Sequence, residues 1–384
     1  MTRASRSGAA NTGRWYCRGR WRVAGLVAGL FPPQEQRWHL DPGVHLTPQA
    51  AERVCRETAG QPFDPAARSL NADWGTNYDG KQIQRWAEHF GGQIVALREA
   101  ERQGYREGSR PAGPENAPEL LAIGMDGGRV QEREKDPDTK SRWHENKVLT
   151  ISSYRREVPQ EPGGDPEPVR LVTTCVGTME KSRHFGQLAR VEAERRGIRQ
   201  ALEVVVIGDG GSWIDTVAEE HFACHVRIID YYHVTEHLAD CAKALHPVDE
   251  AKRKGLAGRL ESNLWAGKTR LLIRWLEGRC QAFGPVRASD PEDHPRRVLQ
   301  ENLTYLTRHA GQMDYPRYRA KGWPIGSGVT ESGVKLFNKR VKGTEQFWNE
   351  PGVEAIMALR AMWLSQDDRW HHYWWYGRLL RQAA

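Results

Sequence analysis

Two aspartates in this sequence share one setting. Asp126 follows the apolar run in LLAIGMDGGRV and precedes Gly127 and Gly128; Asp209 follows the run in EVVVIGDGGSWI and sits between Gly208 and Gly210. An apolar run of this length reads as a buried strand, and in α/β sheets ligands collect beyond the carboxyl ends of strands. Glycine beside each aspartate lets backbone and substrate approach closely. Two such carboxylates on neighbouring strands would clamp a hard divalent cation such as magnesium, which takes oxygen ligands and keeps some waters. Asp-Gly is also a common turn pair, but two matched copies after apolar runs favour the metal reading. Holding two ions takes a third acid. WPIGSGVTESGVKLFNKRVKG supplies Glu331 in the first turn of an expected helix that goes on to carry Lys335, Lys339, Arg340 and Lys342. An acid there also suits the helix dipole; one carboxylate followed by four cations suits a helix that meets both metal and phosphates. In IIDYYHVTEHL, Asp230 and His233 stand three apart, with Glu236 and His237 behind them. The zinc-protease order H-E-x-x-H is absent, so Asp230 and His233 are expected to orient substrate or support the metal site.

These residues need a scaffold, and the order of elements supplies one. Strands are expected in LLAIGMDGGRV, ENKVLTISSYRR and VRLVTTCVGTM, then a helix in FGQLARVEAERRGI, the strand before Asp209, and a further strand running into a helix in HVRIIDYYHVTEHLADCAKAL. That alternation predicts an α/β sheet with helices packed on it. Residues 250–310 are largely helical, rich in Arg, Lys and Trp, and interrupt it. Ahead of the sheet, residues 46–106 read as helical. TPQAAERVCRETAG opens on a Thr-Pro start and ends on Gly60. In 79–92, Ile83, Trp86, Ala87 and Phe90 form one stripe, and Lys81, Gln82, Gln84 and Arg85 lie on the opposite face. A small helical unit with a polar, basic last helix fits a helix-turn-helix DNA-binding domain, or a plain helical bundle. Residues 107–119 form a linker, and 120–384 the α/β domain. Residues 1–20 are Arg-, Gly- and Ser-rich and are expected to be disordered, and 1–45 as a whole to be a disordered or atypical N-terminal segment.

Composition narrows the partners. The chain has 384 residues, 39% hydrophobic content and a net charge of +7, room for two or three domains and compatible with an anionic partner such as DNA. Six cysteines without a CxxC pair argue against a zinc ribbon or a disulfide framework and for reduced thiols in the cytoplasm. The apolar run from Val23 to Phe31 is too short to span a bilayer, so no membrane role is expected. The C-terminal WHHYWWYGR is aromatic enough for an interface, although core packing is the commoner use of such residues.

Taken together, GDGGSWI, IIDYYHVTEHL, IGSGVTES and VKGTEQFW with GVEAIMALRAMWLS resemble the ISKra-type transposases of bacterial insertion sequences, over roughly residues 46–375. That resemblance implies membership of the DDE superfamily, with an RNase H-like mixed sheet and a helical insertion at about 245–320. It implies Asp126, Asp209 and Glu331 as the catalytic and metal-binding triad for two Mg2+ or Mn2+ ions. DYYH is similar to the (C/D)xxH signature of Mutator-like enzymes, which implicates Asp230 and His233. The implied reaction is metal-dependent cleavage and strand transfer of double-stranded DNA at transposon ends and target. The enzyme would act as a homo-oligomer, cytoplasmic and nucleoid-associated when bound to DNA. Lys335, Lys339, Arg340 and Lys342, with Lys81, Gln82, Gln84 and Arg85, would contact that DNA. The sequence departs from relatives in reading Asp209-Gly210-Gly211 where many have Asp-Gly-Ala. Two rival readings are a DNA-binding derivative without catalysis, which the presence of all three acids disfavours, and a nuclease of the same fold without strand transfer.

Overall fold

The computed structural model describes residues 44–377 apart from 138, 160–162 and 344–345. The expected N-terminal segment, 1–45, therefore lies almost wholly outside the described residues, as does the apolar run at Val23–Phe31. Five strands, β1 (Leu120–Gln131), β2 (Trp143–Glu157), β3 (Glu167–Thr178), β4 (Glu203–Gly208) and β5 (Val226–Ile229), form one mixed sheet in the order β3-β2-β1-β4-β5. The pairs β1–β2 and β2–β3 are antiparallel; β1–β4 and β4–β5 are parallel. This order and these directions are compatible with an RNase H-like fold.

Both faces of the sheet are covered, which the period-2 alternation of each strand makes possible. On β1 and β4, Leu121, Ile123, Val204 and Val206 face one way, into a core closed by α4 (Ser182–Arg195) and α5 (Ser212–His221). Leu120, Ala122, Val205 and Ile207 face the other way. There they meet α6 (Tyr231–Leu245) and a helical stretch comprising α7 (Glu250–Trp265), α8 (Thr269–Phe283), α9 (Pro295–His309) and α10 (Tyr315–Ala320). These helices occupy the place expected for the insertion. On the same face, farther toward β2 and β3, lie α11 (Gly328–Val341) and α12 (Glu350–Leu364).

The N-terminal helices are α1 (Pro48–Gly60), α2 (Phe63–Trp74) and α3 (Gly80–Arg106). Thr47 caps α1 through its hydroxyl, with Pro48 in the first turn. Helix α3 is longer than the expected 79–92 because its apolar stripe does not stop at Gly91 and Gly92: Ile83, Ala87 and Phe90 are followed by Ile94, all buried. The three helices share one hydrophobic core with Phe337 and Val341 of α11, Val353, Ile356 and Leu359 of α12, and Val130 and Val148 of the sheet. Two arginines stitch that joint. Arg340 donates from Nε to the Thr58 carbonyl at 2.5 Å, and Arg360 donates to the carbonyl of Ala59. Both oxygens belong to the last turn of α1, where a cation meets the negative end of the helix dipole. Of the C-terminal aromatics, Trp370 packs on this core while Tyr373 and Trp374 are buried in it; Trp375 and Tyr376 stay exposed.

Candidate active site

Asp126 and Asp209 reach the same place by register. In the parallel pair, Gly124 lies beside Ile207, an offset of 83 residues that Asp126 and Asp209 share. Two residues past the last paired position, the aspartates therefore fall side by side. Asp126 has the parity of Leu120 and Ala122, and Asp209 that of Val205 and Ile207, so both belong to the face covered by α6 and the insertion. Gly210, at φ +93°, turns the chain sharply after Asp209 and into α5.

Glu331 comes to them because α11 crosses β1 at close range. A Cβ on Gly124 would stand 1.7 Å from Thr330 Oγ1, so only glycine admits the helix there. Thr330 and Thr150 of β2 share a hydrogen bond at 2.8 Å at the crossing. The start of α11 is tied down from the other side by Asp230, which is buried. Its Oδ1 accepts from the Tyr232 amide at 2.8 Å, and its Oδ2 accepts from the Ser327 amide at 3.1 Å and from the Ser327 hydroxyl. Asp230 therefore spends its carboxylate on the chain, joining the N-termini of α6 and α11. The Ser327 hydroxyl also lies 3.3 Å from Glu331 Oε1.

Asp126 feels the charge of both other acids. Burial raises the pKa of Asp126 most; the Gly127 amide opposes this, and the like charges of Asp209 and Glu331 add to the rise, with His233 pulling the other way. The donor set is all carboxylate, the type a hard dication takes, and the mutual repulsion at Asp126 is what a bound cation would relieve. In these rotamers each carboxylate is turned to a local donor. Asp126 accepts from Gly127 N at 2.6 Å, Asp209 from Gly211 N at 2.9 Å, and Glu331 from Lys335 at 3.3 Å. Among the described residues, accordingly, no three His, Cys, Asp or Glu side chains form a ready-made metal-ligating group. The donor chemistry, three carboxylates, is of the type a hard divalent ion takes.

His233 lies on α6 within the field of Asp126. Its i, i+4 neighbour His237 is legible in the motif; Tyr305 is not. His237 faces it with Nε2 to Nε2 at 3.2 Å, and Tyr305 of α9 stacks on His237 at 4.1 Å. Tyr305 also donates its hydroxyl to the Asp209 carbonyl at 2.8 Å. Burial, then the charge of Asp209, pushes the Tyr305 pKa far up, so it remains a donor. The one available signal was the polar stripe Asn302, Tyr305 and His309 on an otherwise leucine-faced helix.

The residues expected to contact DNA divide. Lys335, Lys339 and Lys342 are exposed, and the Lys342 ammonium stands 5.3 Å over the Trp143 ring. Arg340 is a correction: it is 1% exposed, stacked against Phe63 and Trp348 and bonded to Thr58, so it cannot reach a phosphate. Lys81 and Arg85 are exposed on α3; Gln82 and Gln84 are half-buried, and Gln84 donates to Glu88. Among the described residues, Cys175, Cys224, Cys241 and Cys280 are free thiols and no helix is long and apolar enough to cross a membrane.

No family model and no curated protein matches the chain. Among solved structures it is similar to the Drosophila P element transposase strand transfer complex, at 11% identity and a TM-score of 0.38, over 89% of this chain and 98% of that one.

Proposed function

We propose that the chain is a DDE-type transposase, an enzyme that cuts double-stranded DNA at the ends of a mobile element and joins the freed end to a target. The observation that carries this reading is the meeting of Asp126, Asp209 and Glu331 on one face of the sheet, where Asp209 and Glu331 both raise the pKa of Asp126. Asp126, Asp209 and Glu331 would hold two Mg2+ or Mn2+ ions, which when bound supply Lewis-acid stabilisation of the attacking and leaving oxygens at phosphorus. In the first step the oxygen of water forms a bond to phosphorus and the bond to the 3′ oxygen breaks, leaving a 3′-hydroxyl. In the second step that hydroxyl attacks a target phosphodiester and displaces its 3′ oxygen. Each attacking oxygen gives up a proton, each leaving oxygen takes one, and no bond to the protein forms. The chain's own work is positional. Gly124 admits α11, Asp230 pins the start of that helix, and Tyr305 holds the Asp209 backbone. Lys339 and Lys342, exposed beyond Glu331, would contact DNA phosphates without reading sequence, and Lys81 and Arg85 would do so from α3. A homo-oligomer on the DNA completes the reading.

The test is cleavage and joining, with magnesium, of DNA taken from the sequence on either side of the gene. Asp209→Asn keeps the shape of the side chain and removes its charge. It should cut at least about a thousandfold more slowly while binding DNA as tightly as the parent. Cleavage by Asp209→Asn at the parent rate would reduce Asp209 to a turn residue and overturn the reading. Cleavage without joining by the parent would make the protein a nuclease of the same fold instead.

A further inference from the structure

Helix α9 belongs to the insertion, yet it holds two parts of the candidate site. Asn302, Tyr305 and His309 lie on its face toward the turn after β4 and toward α6. Tyr305 bonds the Asp209 carbonyl, and Asn302 reaches His237. Asn302 is buried, and its amide nitrogen donates to the Val298 carbonyl at 2.8 Å. That leaves Oδ1 as the atom facing His237 Nδ1, at 2.7 Å. An amide oxygen only accepts, so His237 carries a proton on Nδ1. Burial, then the neighbouring His233, lowers the His237 pKa and keeps the ring neutral. A neutral imidazole protonated on Nδ1 presents Nε2 as a lone pair. This Nε2 meets Nε2 of His233 at 3.2 Å with the rings nearly perpendicular, at 85°. One of the two nitrogens must donate, and the acceptor is already fixed.

We propose that Asn302 and His237 are positioning residues that fix the ring orientation and tautomer of His233, with the proton on Nε2 and Nδ1 left to face the open side of the candidate site. The nearest carboxylate to that Nδ1 is the exposed Glu236 at 3.7 Å, beyond a hydrogen bond, which leaves the nitrogen available to a substrate or water. The purpose of the relay rests on the transposase reading; the relay itself rests on the distances above. It makes the insertion part of the site, since one helix governs both the Asp209 loop and His233.

The experiment uses the full chain labelled with 15N-histidine. Long-range 1H–15N spectra are recorded near neutral pH for the parent, Asn302→Asp and Asn302→Leu, with His233→Gln and His237→Gln for assignment. The parent and Asn302→Asp, which still accepts from Nδ1, should show His237 protonated on Nδ1 and His233 on Nε2. Asn302→Leu should lose that pattern at both rings. It should also cleave end DNA roughly tenfold more slowly, the worth of about one hydrogen bond, at unchanged DNA affinity and unchanged melting cooperativity, with Asn302→Asp restoring the rate. Three results would overturn the proposal. One is His237 protonated on Nε2 in the parent, another is a metal bridging the two Nε2 atoms, and the third is Asn302→Leu cleaving at the parent rate. If the parent cleaves no DNA at all, the transposase reading falls while the spectra still decide the relay.

Discussion

At the scale of single residues, charge type and charge placement part company on α11. Lys335, Lys339 and Lys342 point to solvent, whereas Arg340 lies with Gly333, Phe337 and Val341 on the buried stripe. Buried there, it caps α1, and burial together with Arg360 lowers its pKa to about 9. Arg340→Ala should therefore lower folding stability by about 1–3 kcal/mol, the range for a buried charged hydrogen bond lost at a helix end. DNA affinity of the folded fraction should not change. Lys339→Ala should do the reverse, with unchanged denaturant midpoint, weaker DNA binding and a salt slope reduced by about one. Chemical denaturation and salt-dependent binding on both variants separate the two roles. Arg340 was misread because it was counted with the cations around it. The helical period of 3.6 already placed it with Phe337 and Gly333, on the face that packs.

At the scale of elements, two contacts bring the acids together. One is the parallel register of β1 and β4, and the other is the crossing of α11 at Gly124. Both aspartates and both strands were legible, because an apolar run ending on Asp-Gly needs no distant information. Glu331 was legible from the helix that Gly-Ser-Gly starts. Tyr305 and Asn302 were not, because their partners lie 96 and 65 residues away and no local pattern encodes such contacts. Helix α3 runs on through Gly91 and Gly92 because the stripe that continues to Ile94 outweighs their poor helix propensity. The crossing makes a prediction of its own. Gly124→Val must push Thr330 and α11 off the sheet and move Glu331 with them. It should cost about 1–3 kcal/mol in stability, as overpacking does. Cleavage should fall by far more than the folded fraction, measured by activity per folded molecule. Activity in proportion to folding would mean that this crossing does not set Glu331.

At the scale of the whole molecule, the N-terminal helices, the sheet and the C-terminal helices are bound by shared cores and buried ion pairs. Glu192 on α4 receives both guanidinium nitrogens of Arg369, at 2.6 and 3.0 Å, and that of Arg195 at 2.7 Å, with Arg369 also bonded to Asp367. Burial alone would raise the Glu192 pKa; Arg369 and Arg195 outweigh it and hold the carboxyl well below its usual range. A depressed carboxylate contributes stability above its unfolded pKa, about 4.3, and that contribution is lost as pH falls toward the folded value. The melting temperature should therefore drop as pH falls below about 4. Glu192→Gln should flatten that dependence and cost about 3–5 kcal/mol at neutral pH, because it leaves Arg369 buried with one partner fewer. An unchanged acid limb in calorimetry of Glu192→Gln would assign acid sensitivity to other groups. In the proposed function, acids 83 and 122 residues apart in sequence would serve one pair of ions. The direct measurement is a Mn2+ titration of the full chain with end DNA, followed by the electron paramagnetic resonance of free Mn2+. The parent should take up two ions per chain, and Asp126→Asn, Asp209→Asn and Glu331→Gln should each lose at least one. Uptake unchanged in all three variants, or no uptake by the parent, would contradict the account.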